Sequence, residues 1–269
     1  MSFKNALDSK ASCWFLGNSR IYRINPDMIE NGHWYNFAHD NDSYNQMYYK
    51  LQYLLDNGCK VDTLVIGTDY FQFAVFSDTR NYVYDNLLGR DYVKDYNHVS
   101  LKERLNNFKR SLITKQTAFG RNVLEVSKRL AGGGKIVDIP YLRKNGSYYN
   151  NEGEARENDA TKRDTTRERI QIHYFEQLLF LCRSNNIEAF VLMMPVRDNE
   201  LNNYDNSFII EFNKFINTNL SKYGYTGRFI DLSNHPDFKD YKKYTDITHL
   251  NSEAANEFTK CFYSELSKY

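Results

Sequence analysis

Residues 12–20 read SCWFLGNSR, an apolar run that stops at Gly17 and leads directly into Asn18, Ser19 and Arg20. A short apolar run bounded by a glycine is typical of a buried strand in a parallel sheet. Ser19 is therefore predicted on the turn that joins this strand to a following helix, at the sheet edge where open α/β proteins bind their ligands. A helix that begins there would direct backbone N–H groups at a negatively charged oxygen. A serine in that position also serves as a helix cap, and the stretch alone favours the cap.

The same alternation of short apolar runs and helical patterns continues along the chain. It predicts βαβ units around a mostly parallel sheet. Further strands are predicted at residues 34–38, 63–66, 188–194 and 228–232, and helices at 43–55, 167–183, 207–223 and from Asn251 or Ser252 to near the C-terminus.

The length of 269 residues is large for one core and small for two full domains. We therefore predict a single domain over residues 1–269 with an insertion at about 73–166. The insertion contains a glycine break at 132–134 and a hairpin-turn signal, KNGS, at 144–147. We expect it to lie over the active edge of the sheet.

Composition and charge exclude several classes of protein. Hydrophobic residues make up 41% and charged residues 26%, which is typical of a globular chain. The net charge of +1 gives no reason to expect nucleic acid as a partner. No run approaches the roughly 20 apolar residues of a membrane span, and residues 1–10 are too polar for a signal peptide. The default expectation is a cytoplasmic protein, and association with the cell envelope stays open.

Neither a metal nor a cofactor is predicted. The four cysteines are scattered without C-x-x-C spacing, and no histidine has metal-ligand spacing with a second donor. The glycine-rich loops that bind dinucleotides or nucleoside triphosphates are also missing from the sequence.

A second motif, Asp246-Ile247-Thr248-His249, precedes the last predicted helix. A hydroxyl nucleophile needs a base within hydrogen-bond reach, and that base needs a carboxylate to orient it. An aspartate three residues before a histidine supplies both groups from one loop. Alone, the motif is more typical of a polar loop that caps a helix.

Together, in this order and at opposite ends of an alternating chain, the two motifs resemble those of the SGNH (GDSL-like) hydrolase family. The first block of that family is G-D-S after the first strand, and its last block is D-x-x-H before the last helix. The sequence is most similar to the branch associated with cell-surface polysaccharide modification, in which G-x-S-R opens the domain. The hairpin signal at 144–147 and Met193-Met194-Pro195 also fit that branch.

This resemblance implies a flavodoxin-like, three-layer α/β/α fold and a Ser-His-Asp triad. Ser19 would be the nucleophile, His249 the base and Asp246 the residue that orients it. The implied activity is that of a serine esterase or O-acyltransferase without a cofactor. Its substrate would be a carbohydrate or another acylated small molecule.

The middle blocks depart from the family pattern. Residues 36–41, NFAHDN, lack the expected glycine, and residues 67–70, GTDY, lack the asparagine of G-x-N-D. These two residues normally complete the oxyanion hole. We expect Gly67, Thr68 or a backbone amide near Asp40 or Asn41 to substitute, and activity to be reduced if none does, since one donor is worth about 10²–10³ in turnover.

Two arginines are candidates for holding an anionic group of the substrate. Arg20 follows Ser19, and Arg197 follows the strand that ends at Pro195. A structural ion pair is the alternative for each.

Three functions therefore stay open. The first is an esterase or O-acyltransferase that acts on a glycan. The second is a non-catalytic binding module in polysaccharide assembly, which the degenerate middle blocks favour. The third, a nucleotide- or flavin-binding protein, is the least favoured because the loops that it needs are missing. The oligomeric state is not indicated.

Overall fold

The computed structural model describes residues 3–40, 42–74, 143–149, 153, 155–158 and 165–269. They belong to one compact unit, which is formed by Met1–Arg80 and Tyr141–Tyr269. Most of the predicted insertion lies outside the described residues, so the insertion stays a prediction, as does the single domain.

The five predicted strands and four predicted helices are present, with ends shifted by at most two residues. Two short helices at Phe3–Asp8 and Asp198–Leu201 were not predicted. In chain order the strands are β1 Cys13–Leu16, β2 Trp34–Asn36, β3 Thr63–Thr68, β4 Glu188–Met193 and β5 Phe229–Asp231. The helices are α1 Phe3–Asp8, α2 Tyr44–Asp56, α3 Arg169–Ser184, α4 Asp198–Leu201, α5 Asn206–Lys222 and α6 Ser252–Leu266.

The five strands form one parallel sheet in the order β2-β1-β3-β4-β5. This is the order of doubly wound, flavodoxin-like sheets, in which the direction of winding reverses between β1 and β3. The prediction of an α/β fold around a parallel sheet is confirmed. Ligand sites in such sheets lie at the carboxyl ends of the strands beside that reversal.

Helices cover both faces of the sheet. The strand register aligns Phe15, Val65 and Phe190 on one face, where they share a buried cluster with Phe258 and Phe262 of α6. The rings of Phe15 and Phe262 lie 5.7 Å apart. Burying a side chain of this kind contributes about 1.5–3 kcal/mol.

The opposite face is covered by the helices that connect the strands. The intervening strand residues, such as Trp14 and Leu64, point there and are fully buried. Tyr44 of α2 packs against Phe175 of α3 at 4.8 Å, and Phe73 lies 5.1 Å from Phe215 of α5. Within the described residues, no helix is long and apolar enough to cross a membrane.

Candidate active site

Ser19 lies just beyond β1, on a turn that is shorter than predicted. The prediction of a helix directly after this strand is wrong, since only a single 3-10 turn, Ile21–Arg23, follows. The side-chain amide of Asn36 donates to the carbonyls of both Ile21 and Ile24 at 2.8 Å, so these carbonyls do not accept from a continuing helix. Pro26, which disfavours helix in the residue before it, is a sequence signal from which this stop could have been predicted. A one-turn helix has little macrodipole, so the expected dipole at Ser19 is weak.

Two glycines allow the Ser19 turn to pack closely on the strand ends. A Cβ atom on Gly17 would lie 2.4 Å from Cγ1 of Ile21, and a Cβ atom on Gly67 would lie 2.1 Å from the same atom. Both distances are far shorter than any real contact between carbon atoms, so a side chain at either position would displace Ile21. Gly67, predicted to contribute to an oxyanion or substrate site, therefore makes room for the turn that carries Ser19.

The structure brings together the three side chains of the predicted triad. Ser19 Oγ lies 2.7 Å from Nε2 of His249, although 230 positions separate the two residues. Nδ1 of His249 lies 2.7 Å from Oδ2 of Asp246. The pattern is consistent with an Nδ1–H that donates to the carboxylate and an Nε2 that accepts from the serine hydroxyl. Ser19 is partly buried.

The loop before α6 fixes the carboxylate of Asp246. Its Oδ1 accepts from the backbone N–H of Thr248 at 2.8 Å and from that of His249 at 2.9 Å. Burial acts to raise the pKa of Asp246, but its hydrogen bond to His249, the charge of that ring and the two N–H donors outweigh burial. The pKa of Asp246 therefore lies below its usual range, and the carboxylate is held ionised against the imidazole.

A buried polar network holds the residues on both sides of Ser19. The side-chain amide of Asn18 donates to the carboxylate of Asp69 and, at 2.9 Å, to Gln72. Arg20 lies 3.1 Å from Asp69 and donates to both carboxylate oxygens of Glu200 at 2.7 and 2.8 Å. The backbone N–H of Arg20 also donates to Oδ1 of Asn18 at 3.0 Å.

Arg20 is thus held by protein carboxylates, which is the alternative that the sequence left open for it. Burial alone would lower the pKa of its guanidinium, but Asp69 and Glu200 outweigh burial and raise it. The sequence did not identify Asp69 and Glu200 as part of this region. Asp69 could have been identified from the sequence, because it stands where the family pattern has asparagine. No sequence pattern indicated Glu200.

The remaining predicted site residues make other contacts. Arg197 donates to the backbone carbonyls of Arg156 at 2.6 Å and Glu157 at 3.1 Å. The hydroxyl of Thr68 pairs with that of Tyr44 at 2.7 Å, on the α2 side of the sheet. Asn41 lies outside the described residues.

One donor for an oxyanion is present beside the nucleophile. The backbone N–H of Ser19 has no acceptor in the part of the chain that the structure describes. The loop after β2 lies against the same turn, because the N–H of His39 donates to the carbonyl of Gly17 at 3.1 Å. This loop is where the family pattern places its second donor.

In comparisons with known proteins, no family model matches this chain, and no curated protein matches it significantly.

Proposed function

We propose that this chain is an SGNH-type serine esterase or O-acyltransferase that acts on acyl esters of a glycan. The observation that carries the proposal is the continuous hydrogen-bonded line from Ser19 Oγ through the His249 ring to Asp246, with 2.7 Å at each step. Hydrogen-bond reach between nucleophile, base and orienting carboxylate is what activation of a serine requires. The resemblance of the first and last sequence blocks supports the finer family and the glycan substrate.

The reaction would run in two halves. In the first, Ser19 Oγ bonds to the ester carbonyl carbon while His249 Nε2 takes the hydroxyl proton. The tetrahedral intermediate collapses, the C–O bond to the sugar breaks, and His249 returns the proton to the departing alkoxide. The acyl group is then an ester of Ser19.

In the second half, water or a sugar hydroxyl attacks the acyl-serine and gives its proton to His249. Collapse releases a free acid (esterase) or a new ester (acyltransferase), and His249 returns the proton to Ser19. Asp246 stabilises the imidazolium that forms in both halves.

The oxyanion would be received by the backbone N–H of Ser19 and by amides of the β2–α2 loop. This set of oxyanion donors is weaker than in the family pattern, because residue 69 is a carboxylate, Asp69, that is paired with Arg20 and Asn18. The family pattern has a free side-chain amide there. We therefore expect slow turnover, since one missing donor costs about 10²–10³ in rate.

The test is labelling of Ser19 by a fluorophosphonate probe, together with hydrolysis of p-nitrophenyl acetate. Ser19→Ala should abolish labelling and lower hydrolysis by about 10³-fold or more, as for other serine nucleophiles. The matched control is Ser207→Ala, a serine exposed at the start of α5. Unchanged hydrolysis in Ser19→Ala would rule out this mechanism.

The alternative is a binding module with the same fold. The position of Asp69 favours it, because a carboxylate replaces a donor of the oxyanion hole. A folded protein that leaves Ser19 unlabelled but binds a glycan would support the module over the enzyme.

A further inference from the structure

Among the described residues, three arginines are buried, at positions 20, 23 and 197, with exposed fractions of 3%, 7% and 3%. Each leaves one buried nitrogen without an acceptor. Arg20 nevertheless donates to Glu200 and forms an ion pair with Asp69, and Arg197 donates to two backbone carbonyls.

Arg23 differs from the other two arginines. In the described part of the chain, no acceptor receives a hydrogen bond from its guanidinium, and no carboxylate lies within salt-bridge distance of it. Its Nη1 is fully covered without a partner. The contact that it does make is with a ring, since the guanidinium lies 4.9 Å from the centre of Tyr148.

The surroundings of Arg23 place it beside the candidate active site. It closes the 3-10 turn that follows Ser19, and its own N–H donates to the carbonyl of Arg20 at 3.1 Å. It lies four residues after Ser19 in the chain. The carboxylates of Asp246 of the triad and Asp40 of the β2–α2 loop both act to raise the pKa of its guanidinium.

Aromatic packing holds this part of the turn in place. Tyr22 stacks on Tyr148 at 5.3 Å and lies 5.5 Å from the ring of His39. The N–H of Tyr148 donates to the carbonyl of Tyr22 at 2.8 Å. The ring against which Arg23 lies is therefore itself held by stacking and by a backbone hydrogen bond.

A covered N–H group of a cation is unfavourable without an acceptor, because burial removes hydration that no hydrogen bond replaces. Burial lowers the pKa of the Arg23 guanidinium, and the nearby Tyr148, Asp246 and Asp40 offset only part of that effect. An anion that accepted two of its N–H groups would complete the site, as carboxylates and phosphates do with arginine elsewhere.

We propose that Arg23 binds an anionic group of the substrate, a carboxylate or a phosphate, so that the glycan acted on at Ser19 is an acidic one. This inference rests on the proposed function, since it names the substrate class of the same site. It also accounts for a buried cation that the described residues leave without acceptors. Arg23, four residues after Ser19, would act as a specificity-determining residue.

The test measures binding in the full chain with Ser19→Ala, so it does not depend on turnover. Sodium phosphate and sodium acetate are titrated separately at constant ionic strength, and the arginine Nε–H signals of ¹⁵N-labelled protein are followed. We expect one signal to shift saturably with at least one anion, and the stronger anion identifies the group. Adding Arg23→Gln should weaken that binding by about tenfold or more, the usual weight of a charge-assisted pair.

Arg23→Lys keeps the charge but loses the planar fork, so it should bind with intermediate affinity. It also serves as the test variant if Arg23→Gln does not fold. The matched control is Arg228→Gln, because Arg228 likewise lies over a ring, that of Phe190 at 4.7 Å, but is paired with Glu188. That variant should bind anions as the parent does.

Two results would overturn the inference. One is the absence of saturable binding of either anion to the parent chain, and the other is equal binding by the parent and both Arg23 variants. Failure of the proposed function would look different, because Ser19 would stay unlabelled by the fluorophosphonate probe whatever anions bind.

Discussion

The side-chain amide of Asn18 donates to the carboxylate of Asp69, and the same carboxylate lies 3.1 Å from Arg20. Asp69 therefore holds the residues on both sides of Ser19. In the family that the sequence resembles, the residue before the serine is aspartate and the third block carries asparagine. Here the acid and the amide have exchanged positions, and the two side chains are in contact. Asn18 and Asp69, which both differ from that pattern, are therefore direct hydrogen-bond partners.

This linkage predicts that substitutions at the two positions are coupled. Asp69→Asn removes one of the two carboxylates that hold Arg20 and should lower the free energy of unfolding by roughly 3 kcal/mol. Adding Asn18→Asp returns a carboxylate to the pair and should recover part of the loss. Urea unfolding of both single variants and the double variant measures the coupling. Additive effects, within about 0.5 kcal/mol, would show that the two residues act independently.

The close packing of the Ser19 turn predicts a cost for any side chain at residue 67. Gly67→Ala would place Cβ 2.1 Å from Ile21 and should destabilise the fold by about 1–3 kcal/mol. It should also slow fluorophosphonate labelling of Ser19, because displacing Ile21 moves the turn. The same substitution in an Ile21→Ala background is the control and should cost less. An equal cost in both backgrounds would contradict the packing explanation.

The hydrogen bonds of Asp246 predict a pH-dependent contribution to stability. Its pKa is lower in the folded than in the unfolded chain, so the contribution is complete above the ordinary aspartate pKa of about 4. It is lost as the pH falls further, through the folded-state value. The difference in unfolding free energy between the parent and Asp246→Asn should therefore be constant at neutral pH and shrink under acid conditions. A difference that grows on acidification would have the wrong sign. Denaturant titrations at a series of pH values measure it.

A second buried ion pair positions the loop that lies beside the Ser19 turn. Lys50 and Asp42 are fully buried, and Nζ of Lys50 lies 2.5 Å from the carboxylate and 2.6 Å from the carbonyl of Phe37. Lys50→Met takes away the cation beside Asp42 and should cost about 3–5 kcal/mol. Lys50→Met with Asp42→Leu should cost less, since both charges are then removed. A larger loss in the double variant, measured by thermal unfolding, would argue against the pairing.

Most strands and helices could be predicted from the sequence, because hydrophobic periodicity depends on residues that are close together in the chain. Runs such as that of β1 and the apolar stripe of α2 are set by residues a few positions apart, so strands and helices were located to within about two residues. The start of the last helix at Asn251 or Ser252 was predicted for the same reason, and Asn251 caps that helix by accepting from the N–H of Ala254 at 2.9 Å. The 3-10 turn after Ser19 was missed, because the bonds from Asn36 that end it come from a different strand.

That a serine follows the first strand, and that Asp246 stands three residues before His249 on one loop, could be predicted from the residues alone. Both predictions depend on spacing along the chain. Which buried charges meet depends instead on the three-dimensional fold, because ion pairs form between segments that the sheet order brings together. Arg20 pairs with Glu200, which lies 180 positions away in the sequence. Arg23, three residues after Arg20, lies against Tyr148 and has no acceptor among the described residues. The cost of burying a charge depends on its three-dimensional surroundings. For this reason the sequence indicated Arg20 and Arg197 as candidates for binding an anionic group, whereas we propose Arg23 from the structure.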